Sequence, residues 1–221
     1  RKYNMKTLSK AVAVASLLSA GIMSAQVANA EVSYNAAAVS DYVWRGQTQT
    51  DNGVAVQGGA DYSHESGVSA GIWASNVDFG TDDDLEYDLY AAYGFVASDL
   101  DLSVGFISYN YDGDTDTSYE ANFGVAKDAF SALVSIAVDA DTDAGYTYLE
   151  GAYDMDLPQD LGLSLHAGYG IPEASAADDV LDLSATVGKS LEMLDVAATV
   201  TYTDADVEDD VLFFLTASKE F

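Results

Sequence analysis

The stretch Leu161-Gly162-Leu163-Ser164-Leu165-His166-Ala167-Gly168-Tyr169 decides the fold class of this 221-residue chain. Its odd-numbered positions carry Leu, Leu, Leu, Ala and Tyr, whereas its even-numbered positions carry Gly, Ser, His and Gly. Because successive side chains of a β-strand point to opposite faces, this alternation predicts a strand with one apolar and one polar face. The stretches 100–106 and 194–202 alternate in the same way.

The chain beyond residue 30 contains twelve such segments, separated by turn residues. We predict strands at 32–44, 53–64, 67–76, 85–97, 100–110, 117–127, 130–139, 146–156, 161–169, 180–189, 193–203 and 210–221. Long connections at 78–84, 112–116, 139–145, 170–179 and 204–209 alternate with tight ones such as Ser98-Asp99 and Asp128-Ala129. This rhythm predicts an all-β fold, a transmembrane antiparallel up-and-down β-barrel with both termini at the periplasmic end.

The first 30 residues have the pattern of a secretory signal peptide. Met5, Lys6 and Lys10 open a basic segment, and an uncharged stretch rich in Ala, Val and Leu runs from 11 to 25. Ala28-Asn29-Ala30 then supplies a small-residue cleavage motif. We therefore expect a helical signal peptide that is cleaved after Ala30 and a single barrel domain at 31–221. A membrane anchor is the alternative, but the apolar stretch is short for a spanning helix.

The composition excludes several classes of function. The chain has no Cys, which removes disulfide frameworks and Cys-based metal sites. Beyond residue 30 the basic residues are Arg45, Lys127, Lys189 and Lys219, against 37 acidic residues in the whole chain. So negative a surface repels phosphate backbones, so nucleic acid is not an expected partner.

Alternation alone does not separate a membrane barrel from an acidic soluble β-protein, because the two differ only in which face points inward. Three features favour the membrane barrel. The strands are rich in Gly and Ala, the last residue is an aromatic, and aromatics near strand ends predict an interfacial girdle. The residues assigned to this girdle are Trp44, Tyr62, Trp73, Phe79, Tyr87, Phe95 and Tyr111.

The C-terminal segment is similar to the recognition strand by which bacterial outer-membrane proteins are read during assembly. Phe213, Leu215 and Phe221 share one face of the segment 211–221. Lys219 departs from the pattern, since that position is usually apolar or aromatic. The resemblance implies the barrel-assembly machinery as a partner during biogenesis, and lipid and lipopolysaccharide of the outer membrane of a Gram-negative bacterium as the surroundings.

Several segments resemble one bacterial family. They are Ser40-Asp41-Tyr42-Val43-Trp44-Arg45-Gly46-Gln47-Thr48-Gln49, Gly58-Gly59-Ala60-Asp61-Tyr62, Gly71-Ile72-Trp73-Ala74-Ser75-Asn76-Val77, Leu85-Glu86-Tyr87-Asp88-Leu89-Tyr90 and Gly105-Phe106-Ile107-Ser108-Tyr109-Asn110-Tyr111. Together they are similar to the Gcw_chp family of proteobacteria, also called TorF-family porins. The resemblance implies an outer-membrane, porin-like protein, and it brings no catalytic residues and no defined solute.

If the apolar face meets lipid, the polar face lines a lumen. The predicted pore-lining residues are Arg45, Asp61, Glu86, Asp88, Asp101, Glu120, Glu150 and Asp182. Because carboxylates greatly outnumber cations in this set, the lumen is expected to favour cations over anions. Arg45 could pair with a luminal carboxylate and narrow the pore, or it could lie at the rim against solvent or lipid head groups.

Two acidic loops are weak candidates for calcium or magnesium. Their oxygen-bearing residues are Asp112, Asp114 and Asp116 in one loop and Asp139, Asp141 and Asp143 in the other. The second loop, with Glu150, imitates the spacing of an EF-hand, but Ala144 stands where the motif needs Gly. A solvated acidic surface explains both loops as well, and no cofactor is expected.

The sequence does not predict an enzyme. His64 and His166 are its only histidines, and His166 shares a strand with Ser164 without an evident orienting partner. Two functions remain. The first is a channel for passive diffusion of small solutes that prefers cations, and the second is a closed structural or adhesive barrel whose acidic loops bind divalent cations at the cell surface.

Overall fold

The structure, a computed structural model, describes residues 30–113, 115–137, 145–173, 178–205 and 210–221. The proposed signal peptide lies outside these residues, apart from Ala30. Fourteen strands are present in the described part: β1 (Glu31–Val39), β2 (Val43–Trp44), β3 (Gln47–Thr48), β4 (Ala55–Ser63), β5 (Val68–Asn76), β6 (Leu85–Ala97), β7 (Leu100–Tyr111), β8 (Ser118–Lys127), β9 (Phe130–Ala137), β10 (Tyr146–Leu157), β11 (Leu161–Pro172), β12 (Val180–Ser190), β13 (Asp195–Thr203) and β14 (Val211–Glu220). In this part of the chain, no helix has the length and apolar character needed to cross a membrane.

Twelve of these strands form one closed antiparallel barrel, as the sequence predicts. Each wall strand pairs with its neighbours along the chain, and β1 closes the barrel by pairing with both β4 and β14. Backbone hydrogen bonds continue along this seam to the last residue, where the Tyr34 and Phe221 backbones exchange hydrogen bonds of 3.2 and 2.8 Å. Closure removes the free sheet edge, which is the condition for placing strands in hydrocarbon.

Short and long connections lie at opposite ends of the barrel. The β6–β7 turn has only two residues, Ser98 and Asp99, whose φ angles of 52° and 64° match the right-handed twist of the flanking strands. The connections at 40–54, 77–84 and 112–117 lie at the other end, where the strands are joined by longer segments. Both ends of the barrel sequence, Glu31 and Phe221, lie at the short-turn end.

The apolar face of the wall points outward. Leu165, Tyr169 and Phe213 are 42%, 40% and 77% exposed, whereas the neighbouring Gly162 and Gly168 are buried inside. The inner face carries buried Ser and Thr in series, among them Ser69, Ser75, Ser135, Thr186, Thr199, Thr201, Thr203 and Thr216. This is the reverse of a water-soluble barrel and the arrangement of one that crosses a membrane.

The first predicted strand is too long. Instead of continuing to residue 44, the wall strand ends at Val39, which pairs with Ala55, and Val43 and Trp44 belong to the separate β2–β3 pair. The reason is local, because the Asp41 carboxylate accepts hydrogen bonds from the hydroxyls of Thr48 and Thr50 at 2.6 and 3.2 Å. These bonds fold residues 40–50 back on themselves and take them out of the wall.

The predicted aromatic girdle is wrong for three residues. Tyr62, Phe79, Tyr87 and Phe95 are exposed. Trp73 is 3% exposed, and it shares the inward face of β5 with the buried Ser69 and Ser75. Trp44 and Tyr111 also lie inside, packed against the cluster of Val39, Tyr42, Ala55, Trp73 and Val77. The side on which a ring lies depends on whether its position along the strand is odd or even, and not on its distance from the strand end.

Candidate functional site: a hairpin across the lumen

The β2–β3 pair is a small hairpin formed by the connection between β1 and β4. Its turn consists of Arg45 and Gly46, whose φ angles are 48° and 79°. Two positive φ values are the requirement of the tight turn that suits a two-residue hairpin, and Gly46 meets it without strain. The hairpin is held at its base, where Tyr42 N donates to Thr50 Oγ1 at 3.0 Å and Gln49 N donates to the Tyr42 carbonyl at 2.6 Å.

The hairpin crosses the lumen from one wall to the opposite one. On the near side, the ring of Tyr42 packs edge-on against Trp73 of β5, with 5.4 Å between ring centroids. At the tip, a Cβ atom on Gly46 would lie 2.8 Å from the Thr203 Cβ of β13 and 3.0 Å from the Asp182 Cβ of β12. The tip therefore fits against β12 and β13 only because residue 46 has no side chain.

Arg45 is fixed at the tip by a carboxylate and by aromatic rings. Its Nη1 and Nη2 atoms donate to the two Glu120 oxygens at 2.8 and 3.0 Å, the paired geometry that makes such bonds strong and directional. The guanidinium carbon lies 4.2 Å from the Trp44 ring centroid and 4.1 Å from that of Tyr148. Both distances are within the range of cation–π attraction. We call this set, Glu120 with Trp44 and Tyr148, the guanidinium cradle.

Two further carboxylates lie on the inner face of β6. Glu86 and Asp88 are 3% and 0% exposed. Tyr111 donates to Glu86 Oε1 at 3.4 Å, but Glu86 Oε2 and both Asp88 oxygens have no hydrogen-bond partner among the described residues. Three buried carboxyl groups, those of Glu86, Asp88 and Glu120, therefore lie on this side of the lumen.

A second polar cluster lies on the opposite wall. His166 of β11 contacts Glu150 through Nε2 at 3.0 Å and Asp182 through Nδ1 at 3.4 Å, and Tyr148 donates to Asp182 at 2.8 Å. Tyr148 lies over Gly168, where any Cβ would collide with its hydroxyl. Since both imidazole nitrogens face carboxylates, the ring offers no free position to a hydroxyl nucleophile.

The structure brings some of the predicted pore-lining residues together and separates others. Arg45 joins Glu120, and Asp182 lies beneath the hairpin tip and is linked to Glu150 through His166. Asp61 lies nearer the short-turn end of the wall, where it accepts hydrogen bonds from Asn35 at 3.0 Å and from the Tyr90 hydroxyl. Asp101 is exposed near the short-turn end and contacts none of these groups in the described part of the chain.

Sequence reasoning missed the aromatic side chains that hold the hairpin. Tyr42, Trp73, Tyr109 and Tyr148 contact the hairpin or its carboxylate partner, and Tyr109 donates to Glu120 Oε2 at 3.1 Å. The signal that could have found the hairpin is Gly46, two residues after Trp44, because glycine is favoured where a tight turn needs a positive φ angle.

The acidic loops at the long end are tied together by hydrogen bonds. The Asp83 carboxylate accepts from Thr115 Oγ1 at 2.5 Å, from Thr81 Oγ1 at 2.8 Å and from Thr115 N at 3.2 Å. These donors, the Thr115 hydroxyl above all, lower the pKa of Asp83 below its ordinary value because they stabilise the charged form. Asp112 accepts from the backbone amides of Asp84 and Leu85 at 3.0 and 2.9 Å.

These bonds show what two of the loop aspartates do in the structure. Asp83 and Asp112 act as acceptors within the protein. No group of three or more potential ligands with metal-binding geometry occurs among the described residues, Asp112 and Asp116 included. The candidates Asp114, Asp139, Asp141 and Asp143 lie outside the described residues.

The C-terminal strand presents its apolar face outward. Phe213, Leu215 and Phe221 are 77%, 64% and 72% exposed. They alternate with the buried Leu212, Phe214 and Thr216, so the face carrying the predicted assembly signal is the lipid side of the wall.

The fold and the polar lumen define a class, the small twelve-stranded barrel with the porin fold. Among solved structures, the KdgM porin superposes with a TM-score of 0.58 at 8% identity, covering 86% of this chain and 98% of that chain. The KdgM porin in complex with disordered oligogalacturonate gives 0.57 at 8% identity, with 86% and 97% covered. The NanC porin gives 0.56 at 10% identity, with 86% and 98% covered.

The particular family follows from the sequence. The chain belongs to the Gcw_chp family, described as bacterial proteins of unknown function, whose model matches residues 24–220. Curated protein sequences give no significant match. The resemblance noted from residues 40–111 is thus confirmed over nearly the whole barrel.

Proposed function

We propose that this protein is an outer-membrane channel through which small solutes diffuse passively, with a preference for cations. The carrying observation is the charge of the lumen. Glu86, Asp88, Glu120 and Asp182 are all 5% exposed or less on the inner face, and Arg45, whose side chain is 10% exposed, pairs with one of them, Glu120. A lumen in which carboxylates outnumber basic side chains attracts cations and repels anions.

The comparison structures support the shape of this proposal and not its solute. One KdgM structure holds oligogalacturonate, a chain of sugar acids. An acidic lumen is a poor match for an anionic ligand, so we do not transfer that solute to this protein. Export through the periplasm, cleavage after Ala30, and contact with the assembly machinery and lipopolysaccharide are part of the same proposal and rest on the terminal sequences.

A second function is favoured by the tightness of the lumen. Side chains on its inner face, including Ser75, Asn122, Ser135 and Thr203, are 2% exposed or less, because the hairpin and the surrounding tyrosines fill the space. A closed structural or adhesive barrel would have the same appearance. In that case the acidic loops, and not the lumen, would carry the function by binding divalent cations at the cell surface.

Planar-bilayer recording separates the two functions. The purified barrel is expected to give stepwise conductance, and under a potassium chloride gradient the reversal potential should have the sign of cation selectivity, because the luminal charge is negative. Glu120→Gln and Asp88→Asn should each shift the reversal potential towards zero. Asp101→Asn removes the same charge from the exposed short-turn end and is the matched control.

Inserted protein that stays silent would contradict the channel. The closed barrel instead predicts silence together with a calcium-dependent rise in melting temperature, since a ligand that binds only the folded state stabilises it. An anion-selective current would contradict the preference while leaving the channel in place.

A further inference from the structure

The inner face of β6 carries a fully buried carboxyl group, that of Asp88. Asp88 is 0% exposed, lies in the fourth position of β6, and has no hydrogen-bond partner for either oxygen among the described residues. Burying an ionised carboxylate without a partner is strongly unfavourable, so the group must take up either a proton or a cation. Glu86, two residues away on the same face, has one oxygen in the same condition.

The surroundings of Asp88 are aromatic. Its two partners in the strand ladder are Trp73 of β5 and Tyr109 of β7, and the ring of Tyr42 packs on Trp73. The indole Nε1 of Trp73 is also without a partner in the described part of the lumen. Carboxylates flanked by aromatic faces attract organic cations, since the charge pairs with the oxygens and the rings add cation–π attraction.

The same chain already shows this chemistry at the neighbouring position. In the guanidinium cradle, Glu120 binds Arg45 through two hydrogen bonds while Trp44 and Tyr148 lie against the guanidinium. Glu86 and Asp88 offer carboxylates and rings of the same kind, and in the described part of the chain no basic side chain is paired with either of them. A divalent metal fits less well, because the described residues contain no group of three ligands with metal-binding geometry.

We propose that Asp88 and Glu86, with Trp73, form a binding site for a small monovalent cation of the guanidinium or ammonium class. This inference builds on the proposed channel by naming the class of solute that the lumen selects. The site lies close to the long-loop end, since Glu86 and Asp88 are the second and fourth residues of β6.

Tryptophan fluorescence tests the site directly. The chain has two Trp residues, Trp44 in the cradle and Trp73 opposite Asp88, so all tryptophan emission comes from this part of the lumen. In the folded barrel in detergent, guanidinium chloride at millimolar concentration should change the emission saturably, whereas sodium chloride of equal ionic strength should not. The Trp44→Phe variant, which keeps only Trp73, should give the same titration.

The variants assign the effect to residues. Asp88→Asn should weaken guanidinium binding at least about tenfold, the cost of losing a hydrogen-bonded charge partner. Asp101→Asn removes an exposed carboxylate at the short-turn end of β7 and should change guanidinium binding by less than about threefold. Glu86→Gln is a second variant of the same site, for use if Asp88→Asn does not fold, and it should also weaken binding.

Three results would overturn the site. They are a wild-type titration no different from sodium chloride, equal weakening by Asp88→Asn and Asp101→Asn, and displacement of guanidinium by calcium at lower concentration. Conductance measured on the same preparations keeps the two proposals apart. Saturable binding without conductance rejects the channel and keeps the site, whereas conductance without saturable binding rejects the site and keeps the channel.

Discussion

Replacing residues 40–54 by Asn-Gly is expected to raise the single-channel conductance severalfold. Val39 and Ala55 face each other in the ladder, so a two-residue turn can join β1 directly to β4. The replacement removes the hairpin that reaches from Trp73 on one wall to Thr203 on the other. With this obstruction gone, the lumen should open to the width of a twelve-stranded barrel.

The matched control inserts the same dipeptide at the opposite end. Ser98 and Asp99 form a two-residue turn with φ angles of 52° and 64°, which Asn-Gly adopts readily. Exchanging them should leave the conductance unchanged. If the barrel without residues 40–54 conducted no better than the original protein, the hairpin would not be the narrowest part of the path.

Arg45→Ala is expected to lower the free energy of unfolding by up to about 3 kcal/mol. This loss is smaller than the full cost of breaking a buried ion pair, because water that enters past the loosened hairpin hydrates Glu120. The side chains of Arg45 and Glu120 are only 10% and 6% exposed. Losing Arg45 therefore leaves the Glu120 carboxylate without its cation, although the bond from Tyr109 remains, and removes the contacts with Trp44 and Tyr148. Urea unfolding in lipid vesicles, followed by tryptophan fluorescence, measures the change.

Two further variants show whether the loss belongs to the pair. Lys189→Ala removes a cation whose Nζ donates to the exposed Gln159 carbonyl at 2.8 Å, and it should cost far less. Combining Arg45→Ala with Glu120→Ala should cost less than the two single changes added together, because the double variant leaves no unpaired charge. Strict additivity would show that Arg45 and Glu120 do not stabilise each other.

The wall of the barrel could be predicted from the sequence because its pattern is local. In 161–169, alternation alone gives the strand and its two faces, and Leu165 is exposed while Gly168 is buried, as the outward-apolar interpretation requires. The turns at Ser98-Asp99 and Asp128-Ala129 could also be predicted, since a two-residue connection can join only neighbouring antiparallel strands.

The lumen could not be predicted in the same way because its contacts join distant residues. Arg45 and Glu120 are 75 positions apart, and neither local pattern indicates that one binds the other. The sequence pattern places Trp44 at the end of a strand, but the hydrogen bonds from Thr48 and Thr50 to Asp41 turn the chain inward. The pattern places Trp73 in the girdle, but Trp73 lies on the same face of its strand as the buried Ser75.

The central claim is that the apolar face of this wall meets lipid and the polar face meets the lumen. Because the chain has no Cys, single cysteines can be placed at 163, 164, 165, 166 and 167 and spin-labelled one at a time. In lipid vesicles, molecular oxygen, which concentrates in the bilayer, should relax the labels at 163, 165 and 167 strongly and those at 164 and 166 weakly. The opposite result would contradict the account. In that case the labels at 163 and 165 would be shielded from oxygen, and those at 164 and 166 would be accessible to a water-soluble relaxation agent. The leucines would then lie in the core of a water-soluble protein.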